Sequence, residues 1–494
     1  MKARSLAVLL LIATAAGAQP VDRAAIDRLA RATVDAWRLP GMAVAVIKDD
    51  RVVYLEGLGV REAGGTAPVT PDTLFQIAST SKAFTTTALA MLAGEKKLSW
   101  DDPVRKHLPY FQLSDPCADS LVTLRDIVSH RTGVTRHDAL WDYTSWSREE
   151  VIRRLSSVEL NRPFRASYQY QNIMFMAAGE ALAAAAGMPW DEVVARRIFE
   201  PLGMKSTVVS EADWLRAERA SSHRYDSSAQ RVRPWHTNDY ESLGPAGAIK
   251  SSARDLARWV RFQLNGGTID GTRLLSETAL RETWKPHTIL PAGDSSSEES
   301  ALTNFTTYGL GWRVQDYRGE LLVWHSGSLN SHRAQVILLP RHGSGVVLLT
   351  NIGRGYGLIA LRHALLDLLL GRETRDWNAH FLAREKKLEE DAARARLERE
   401  AKRHRDTAPS RDLPAYAGTY ASAAYGEAEV AVHDDHLVVT WQRLRMPLTH
   451  YHFDTFSTVI EEEDVDERIT FHLGADGEVR AMTMFGEEFL RKRP

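Results

Sequence analysis

From Gly41 to Gly59 the chain reads GMAVAVIKDDRVVYLEGLG, two β-rich runs on either side of Asp49-Asp50, which is the pattern of a hairpin. A helix over about Asp22 to Trp37 precedes it. After it, Phe84, Ala88, Leu89 and Leu92 recur at helical spacing and Gly94 supplies a stop, so a helix is predicted from Ser79 to Ala93 with Ser79 near its N-terminus. The next two hundred residues or so are mainly helical, with connections such as PLGM and LNGG. β character returns in LLVWHSGS, RAQVILLP and SGVVLLTN, followed by a helix from about Tyr356 to Leu370. Strand-like segments at both ends of this stretch predict one sheet built from both ends, with a helical insertion between them.

From 373 to about 408 the pattern changes to many charges and few large apolar side chains. Pairs at a spacing of four, Glu390 with Arg394 and Glu398 with Lys402, predict a solvated linker helix. Beyond it, short alternating runs separated by turn residues predict a small all-β domain. The fold class is thus α/β (α+β): an antiparallel sheet flanked by helices with a mostly helical insertion, plus a C-terminal all-β barrel-like domain. The expected divisions are a signal peptide at 1–18, a catalytic-type domain at 19–372, the charged linker at 373–410 and the β domain at 411–494.

Composition adds limits. A length of 494 residues predicts two or three domains. The balance of 62 basic against 64 acidic residues gives no footprint for a nucleic acid partner. Lys2 and Arg4, the apolar run Leu6 to Ala13 and the small residues Ala16-Gly17-Ala18 read as a secretory signal cleaved before Gln19, hence an exported protein, periplasmic or secreted. No later stretch has the length of a membrane span. LIALRHALLDLLLG is interrupted by Arg362, His363 and Asp367 and reads as an amphipathic helix. Cys117, the one cysteine, cannot form an internal disulfide and is expected in the core.

Candidate chemistry begins with Ser79 and Lys82. Three residues apart on a helix, they project from one face, so the amine can reach the hydroxyl and serve as its base if its pKa falls from ~10.4 toward ~7 to 8. A chain of this composition holds about one such pair by chance. Two companions raise its weight: Tyr170-Gln171-Asn172, and His325-Ser326-Gly327 at the start of two strand-like runs.

With these three motifs in this order, residues 25 to 370 resemble the serine β-lactamase and penicillin-binding-protein-like hydrolases, in particular the class C-related branch with its esterases and D-aminopeptidases. VTLRDIVSHRTGV, IFEPLGMKST and GPAGAIKSSARDLARWV also look like that family. The resemblance implies Ser79 as acylated nucleophile and Lys82 as its base. It implies Tyr170 as a phenolate-like partner in the base role and Asn172 as the group orienting Lys82 and substrate. His325, Ser326 and Gly327 would flank the substrate, and the backbone amides of Ser79 and Ser328 would form an oxyanion hole. No metal or organic cofactor is implied. The C-terminal segment resembles a lipocalin-like accessory domain.

His325 departs from the lysine that usually begins the strand motif. A histidine of ordinary pKa is mostly neutral at pH 7, which weakens attraction for a substrate carboxylate. Small esters, amides or peptides lacking that carboxylate are therefore the expected substrates. Two alternatives stay open: a β-lactamase or D,D-carboxypeptidase, and a non-catalytic ligand-binding or sensor relative. Neither a G-x-S-x-G elbow nor an H-E-x-x-H motif occurs. His450 with His452 is too small a set for a metal site, and Glu461 to Asp464 reads as a solvated loop.

Overall fold

Asp49 and Asp50 both take left-handed backbone (φ 48° and 61°), as a two-residue hairpin turn requires, and join β1 (Gly41–Lys48) to β2 (Arg51–Gly59). The computed structural model describes residues 22–226, 229–291, 301–460 and 465–492; the expected signal peptide and the acidic run Glu461 to Asp464 lie outside them. Helix α1 (Arg23–Trp37), capped by the Asp22 side chain, precedes the hairpin.

The remaining strands of the main sheet come from the far side of the insertion: β3 (Thr288–Ile289), β4 (Thr306–Tyr308), β5 (Arg313–Tyr317), β6 (Glu320–Leu329), β7 (His332–Leu339) and β8 (Ser344–Thr350). Their order is β2-β1-β8-β7-β6-β5-β4-β3, every neighbouring pair antiparallel, so the two ends of the domain meet where Met42 faces Thr350. Strand β1 is buried on both faces. Met42, Val44 and Val46 enter one core with α1, whereas Ala43, Ala45 and Ile47 enter the other, with the insertion helices.

That second core contains α2 (Ser81–Gly94), buried from Ser81 to Leu92 rather than on one face. Its end differs from expectation: Gly94 is the last helical residue, and the left-handed position falls at Lys96 (φ 61°). Helix α3 (Asn172–Ala186) packs beside it, and α4 (Ala253–Leu264) covers the sheet, with Trp259 stacked on Phe84 at a centroid distance of 3.9 Å.

Helix α5 (Gly355–Leu369) is a correction to the sequence reading, because it is buried on most sides rather than amphipathic. Asp367 is fully buried and accepts from Tyr317 Oη (2.8 Å), Arg318 Nε (2.9 Å) and Trp377 Nε1 (2.9 Å). Those donors offset the desolvation that an unpaired carboxylate would suffer. No single described helix is long and apolar enough to cross a membrane. Helix α6 (Trp377–Ala401) is docked at its start by Trp377 and Phe381 and solvated beyond. Its ion pairs are shifted from those expected: Arg394 pairs with Asp391 and Glu390 with Lys386. Cys117 is exposed, not in the core; in the short helix Pro116–Leu121 it is Ala118 that points inward.

The C-terminal domain is a nine-stranded antiparallel sheet: β9 (Gly418–Ser422), β10 (Gly426–His433), β11 (His436–Trp441), β12 (Leu444–Pro447), β13 (Thr449–His452), β14 (Thr455–Ile460), β15 (Val465–Leu473), β16 (Val479–Met484) and β17 (Glu487–Arg491). The order is β12-β11-β10-β9-β17-β16-β15-β14-β13, so the two edge strands are successive in sequence with Leu448 between them, and the sheet is a nearly closed barrel. It docks on the segment 137–154. Trp441 meets Trp146 edge-on (6.4 Å), Phe485 stacks on Tyr143 (6.0 Å), Arg154 Nη1 donates to the Ala424 carbonyl (2.8 Å), and Tyr425 Oη shares a hydrogen bond with His137 Nδ1 (3.0 Å).

Candidate active site

Ser79 lies in a single 3₁₀ turn, Ala78–Thr80, that feeds α2. Ala78 is left-handed (φ 48°), a conformation that costs about 1–2 kcal/mol without glycine. The turn is held on both sides. Thr80 Oγ1 donates to the Ile77 carbonyl (2.7 Å), and Ile77 N donates to the Ile249 carbonyl (3.0 Å). Across from it, β6 passes so close at Gly327 that a Cβ there would fall inside the Ile77 carbonyl oxygen and lie 3.0 Å from Ala78 Cβ. The glycine lets strand backbone and nucleophile turn touch.

Lys82, one helical turn on, is completely buried. Its Nζ stands 3.1 Å from Ser79 Oγ and donates to Asn172 Oδ1 (2.8 Å) and the Ala246 carbonyl (2.8 Å). Burial, and secondarily the nearby Arg136 cation, hold its pKa well below the ordinary lysine value. A neutral amine has two hydrogens and one lone pair. In that form, with both hydrogens donated to Asn172 and Ala246, the lone pair is what remains for Ser79. Asn172 is itself oriented, since its Nδ2 donates to Asp138 Oδ1 (3.3 Å). Gln171, between the two site residues, caps α3 by accepting from Ile173 N (3.0 Å).

Tyr170 precedes this cap and donates its hydroxyl to Ser79 Oγ at 2.8 Å. Burial raises its pKa, more than the Ser79 hydrogen bond lowers it, so the resting group is a phenol. This differs from the phenolate-like partner expected above, because a buried phenolate needs a close cation to offset desolvation, and the nearest amine, Lys82, is itself pushed toward neutrality. Behind Tyr170 packs His130, ring centroids 4.3 Å apart, which accepts from Gln171 N (3.2 Å) and is held neutral by burial and by Lys82.

His325 is at the middle of β6, 2% exposed. Its Nδ1 lies 2.7 Å from the Ser326 carbonyl, an acceptor only, so Nδ1 carries the hydrogen and Nε2 accepts from Tyr308 Oη (2.9 Å). Burial first, then Lys82 and Arg313, lower its pKa to about 3. The expected neutrality at pH 7 thus has a stronger cause than an ordinary histidine pKa.

Ser79, Tyr170, Asn172, His325, Ser326 and Ser328 all border one cavity of about 350 Å³. Lys82 and Gly327 lie immediately behind its wall. The same cavity takes Arg136, Trp141, Tyr168 and Arg313, which sequence reasoning missed. Arg136 Nε donates to Asp138 Oδ2 (2.6 Å), whereas Arg313, whose guanidinium lies 5.4 Å from the Trp324 ring centroid, has no carboxylate partner among the described residues. Neither arginine belongs to a motif, and the only signal for Arg313 was its place one strand before His325. Among the described residues no group of three or more His, Cys, Asp or Glu is gathered for a metal ion. His450 turns Nε2 to the Phe453 carbonyl (2.9 Å).

The model of the Beta-lactamase family matches residues 26–369, and that of a domain of unknown function, DUF3471, matches residues 402–493. The unguisins hydrolase ungD' of Aspergillus campestris is 32% identical over 380 residues, covering 74% of this chain and 69% of its own. The chain spans about two thirds of the length of the curated relatives it matches. Among solved structures, the octameric penicillin-binding protein homologue from Pyrococcus abyssi is similar at a TM-score of 0.63 and 21% identity, over 95% of this chain and 100% of that one. A class C β-lactamase from Rhodobacter sphaeroides is similar at 0.56 and 23%, over 70% and 99%. At these identities the two structures show likeness of fold.

Proposed function

This chain belongs to the β-lactamase family, and from that premise we propose that it is an exported serine hydrolase that cleaves ester or amide bonds through an acyl-enzyme on Ser79. The observation that carries the reading is the continuous path from Tyr170 Oη to Ser79 Oγ to Lys82 Nζ, with hydrogen bonds of 2.8 and 3.1 Å. Ser79 Oγ attacks the substrate carbonyl while its proton passes to the Lys82 lone pair. The backbone amides of Ser79 and Ser328 take the developing oxyanion. As the C–O or C–N bond breaks, Tyr170 gives its hydroxyl proton to the leaving group, and the proton held by Lys82 replaces it, so that phenol and neutral amine are restored. Water then attacks the Ser79 ester, giving a proton to the same amine; the acyl C–Oγ bond breaks, Lys82 returns that proton to Ser79 Oγ, and the free acid departs.

Comparing wild type with Ser79→Ala on p-nitrophenyl esters, D-aminoacyl anilides and a chromogenic cephalosporin tests this. Turnover lost in Ser79→Ala supports it, and undiminished turnover in that variant sinks it. Export rests on Lys2, Arg4 and the apolar run that follows; a mature N-terminus at Gln19, read from exported protein, is the expected result.

One observation favours a second reading, a β-lactamase or D,D-peptidase. Arg313 places in the Ser79 cavity a cation with no carboxylate partner among the described residues, which supplies from β5 the charge that His325 lacks. Fast cephalosporin turnover with none of the esters or anilides would select it.

A further inference from the structure

Beside the Ser79 cavity is a larger cleft of about 580 Å³, walled by Trp141, Trp235, Arg333 and Arg354 among others. The two share Arg136, Trp141, Ser328 and Leu329, so a molecule lying over Ser79 and extending past Ser328 enters it directly. Together they hold far more than a short ester.

Most charges in the cleft are matched. Arg136 pairs with Asp138, Arg354 with Glu385, and Asp142 lies 3.8 Å from Arg443; Glu389 is out on the exposed face of α6. Arg333 is different. It extends from β7 at the position opposite Ser328, its Nη1 donates to the His332 carbonyl (2.9 Å), and no carboxylate of the described residues pairs with it. Gly353 and Gly355 lie beside the guanidinium, where an added Cβ would sit in ordinary contact, 3.5 Å from Nη2 and 3.6 Å from Nε. Gly355 also begins the 15-residue helix α5, whose first turn has no acidic residue, so the helix adds potential of the same sign. Burial lowers the Arg333 pKa to about 10, which leaves it charged at neutral pH. A partly desolvated, unpaired guanidinium matches a carboxylate in both charge and fork geometry.

We propose that this cleft binds the far end of an extended, peptide-like substrate through a carboxylate held by Arg333, while the reacting carbonyl lies at Ser79. The inference rests on the Ser79 reading for the position of the reacting bond, but it is read by binding alone. The probes are acetylated penta-alanine with a free C-terminus, its C-terminal amide, and an amide carrying one Glu, each titrated into Ser79→Ala protein by calorimetry and by tryptophan fluorescence, since Trp141 and Trp235 line the cleft. The free acid is expected to bind about tenfold or more tighter than the amide, the worth of one charge-assisted hydrogen-bond pair. In Ser79→Ala with Arg333→Gln the ratio falls to near one, and with Arg333→Lys part of it returns. Tight binding of the Glu-bearing amide supports the proposal and assigns the carboxylate to a side chain rather than a terminus. Equal binding of acid and amide, binding of neither, or a ratio lost in Arg313→Gln and kept in Arg333→Gln overturns it. Undiminished turnover in Ser79→Ala would sink the acyl-enzyme reading and leave these binding results standing.

Discussion

Tyr170 donates its phenolic hydrogen to Ser79 Oγ across 2.8 Å, from a site where burial keeps the phenol protonated. In the acyl-enzyme reading it is the donor that steadies the forming alkoxide and later delivers a proton to the leaving group. Tyr170→Phe removes that donor without changing the ring, so kcat/KM on a p-nitrophenyl ester should fall by about 10²–10³ with little change in KM. A loss under threefold would remove Tyr170 from the proton path.

The proton path also sets a pH dependence. Lys82 accepts the Ser79 proton only when neutral, and its pKa is depressed, so activity falls as pH drops through that depressed value and is flat above it. The expected kcat/KM profile has reached its plateau by mildly alkaline pH. An acid limb still rising toward ~10.4, the ordinary lysine value, would contradict a buried neutral amine.

Gly327 offers a test of the contact between strand and nucleophile turn. With no space for a Cβ against Ile77 and Ala78, Gly327→Ala must push β6 away from Ser79. Overpacking of this kind costs about 1–3 kcal/mol. Thermal melting should show that loss, and ester turnover should drop more than tenfold, since a shift near 1 Å at the reacting groups is worth about 10².

Arg313 borders the Ser79 cavity and has no carboxylate partner among the described residues. Arg313→Gln should lower kcat/KM about tenfold or more for substrates with a carboxylate next to the scissile bond and leave their methyl esters within about twofold. A steady-state comparison of each acid with its ester decides it, and an equal loss on both would deny Arg313 a part in specificity.

The barrel's grip on the segment 137–154 has a kinetic consequence, because Asp138 and Trp141 on that segment, with Arg136 just before it, wall the Ser79 cavity and the cleft beside it. Trp441→Ala removes the buried ring that meets Trp146 and should destabilise the docked barrel by about 3–5 kcal/mol. With the rim loosened, KM should rise severalfold while single-turnover acylation by bound substrate changes little. Unchanged KM in a protein whose melting has clearly dropped would confine the barrel to stability.

Much of this molecule was legible in its residues. The β-rich runs around Asp49-Asp50, the helical spacing after Ser79 and the short alternating runs after 411 correspond to β1 and β2, α2 and the C-terminal barrel, because such patterns are imposed by local backbone geometry and need no distant partner. Burial was less legible. LIALRHALLDLLLG read as amphipathic because Arg362, His363 and Asp367 interrupt it, and the convergence of Tyr317, Arg318 and Trp377 explains how Asp367 is held in the core. Cys117 was misplaced for a related reason: which side of a short helix faces inward depends on what covers it.

The site divides the same way. By itself the sequence determined that a serine, a lysine, a tyrosine and a strand glycine stand in a family order, since those positions lie in three short motifs. Tertiary structure alone decided how they are charged and what joins them. The proton on Tyr170, the depressed pKa of Lys82, the neutrality of His325, and the entry of Arg313 and Arg333 into the clefts all follow from desolvation and from contacts between segments far apart in the chain. Electrostatic energy depends on distance and burial in space, which a linear pattern does not carry.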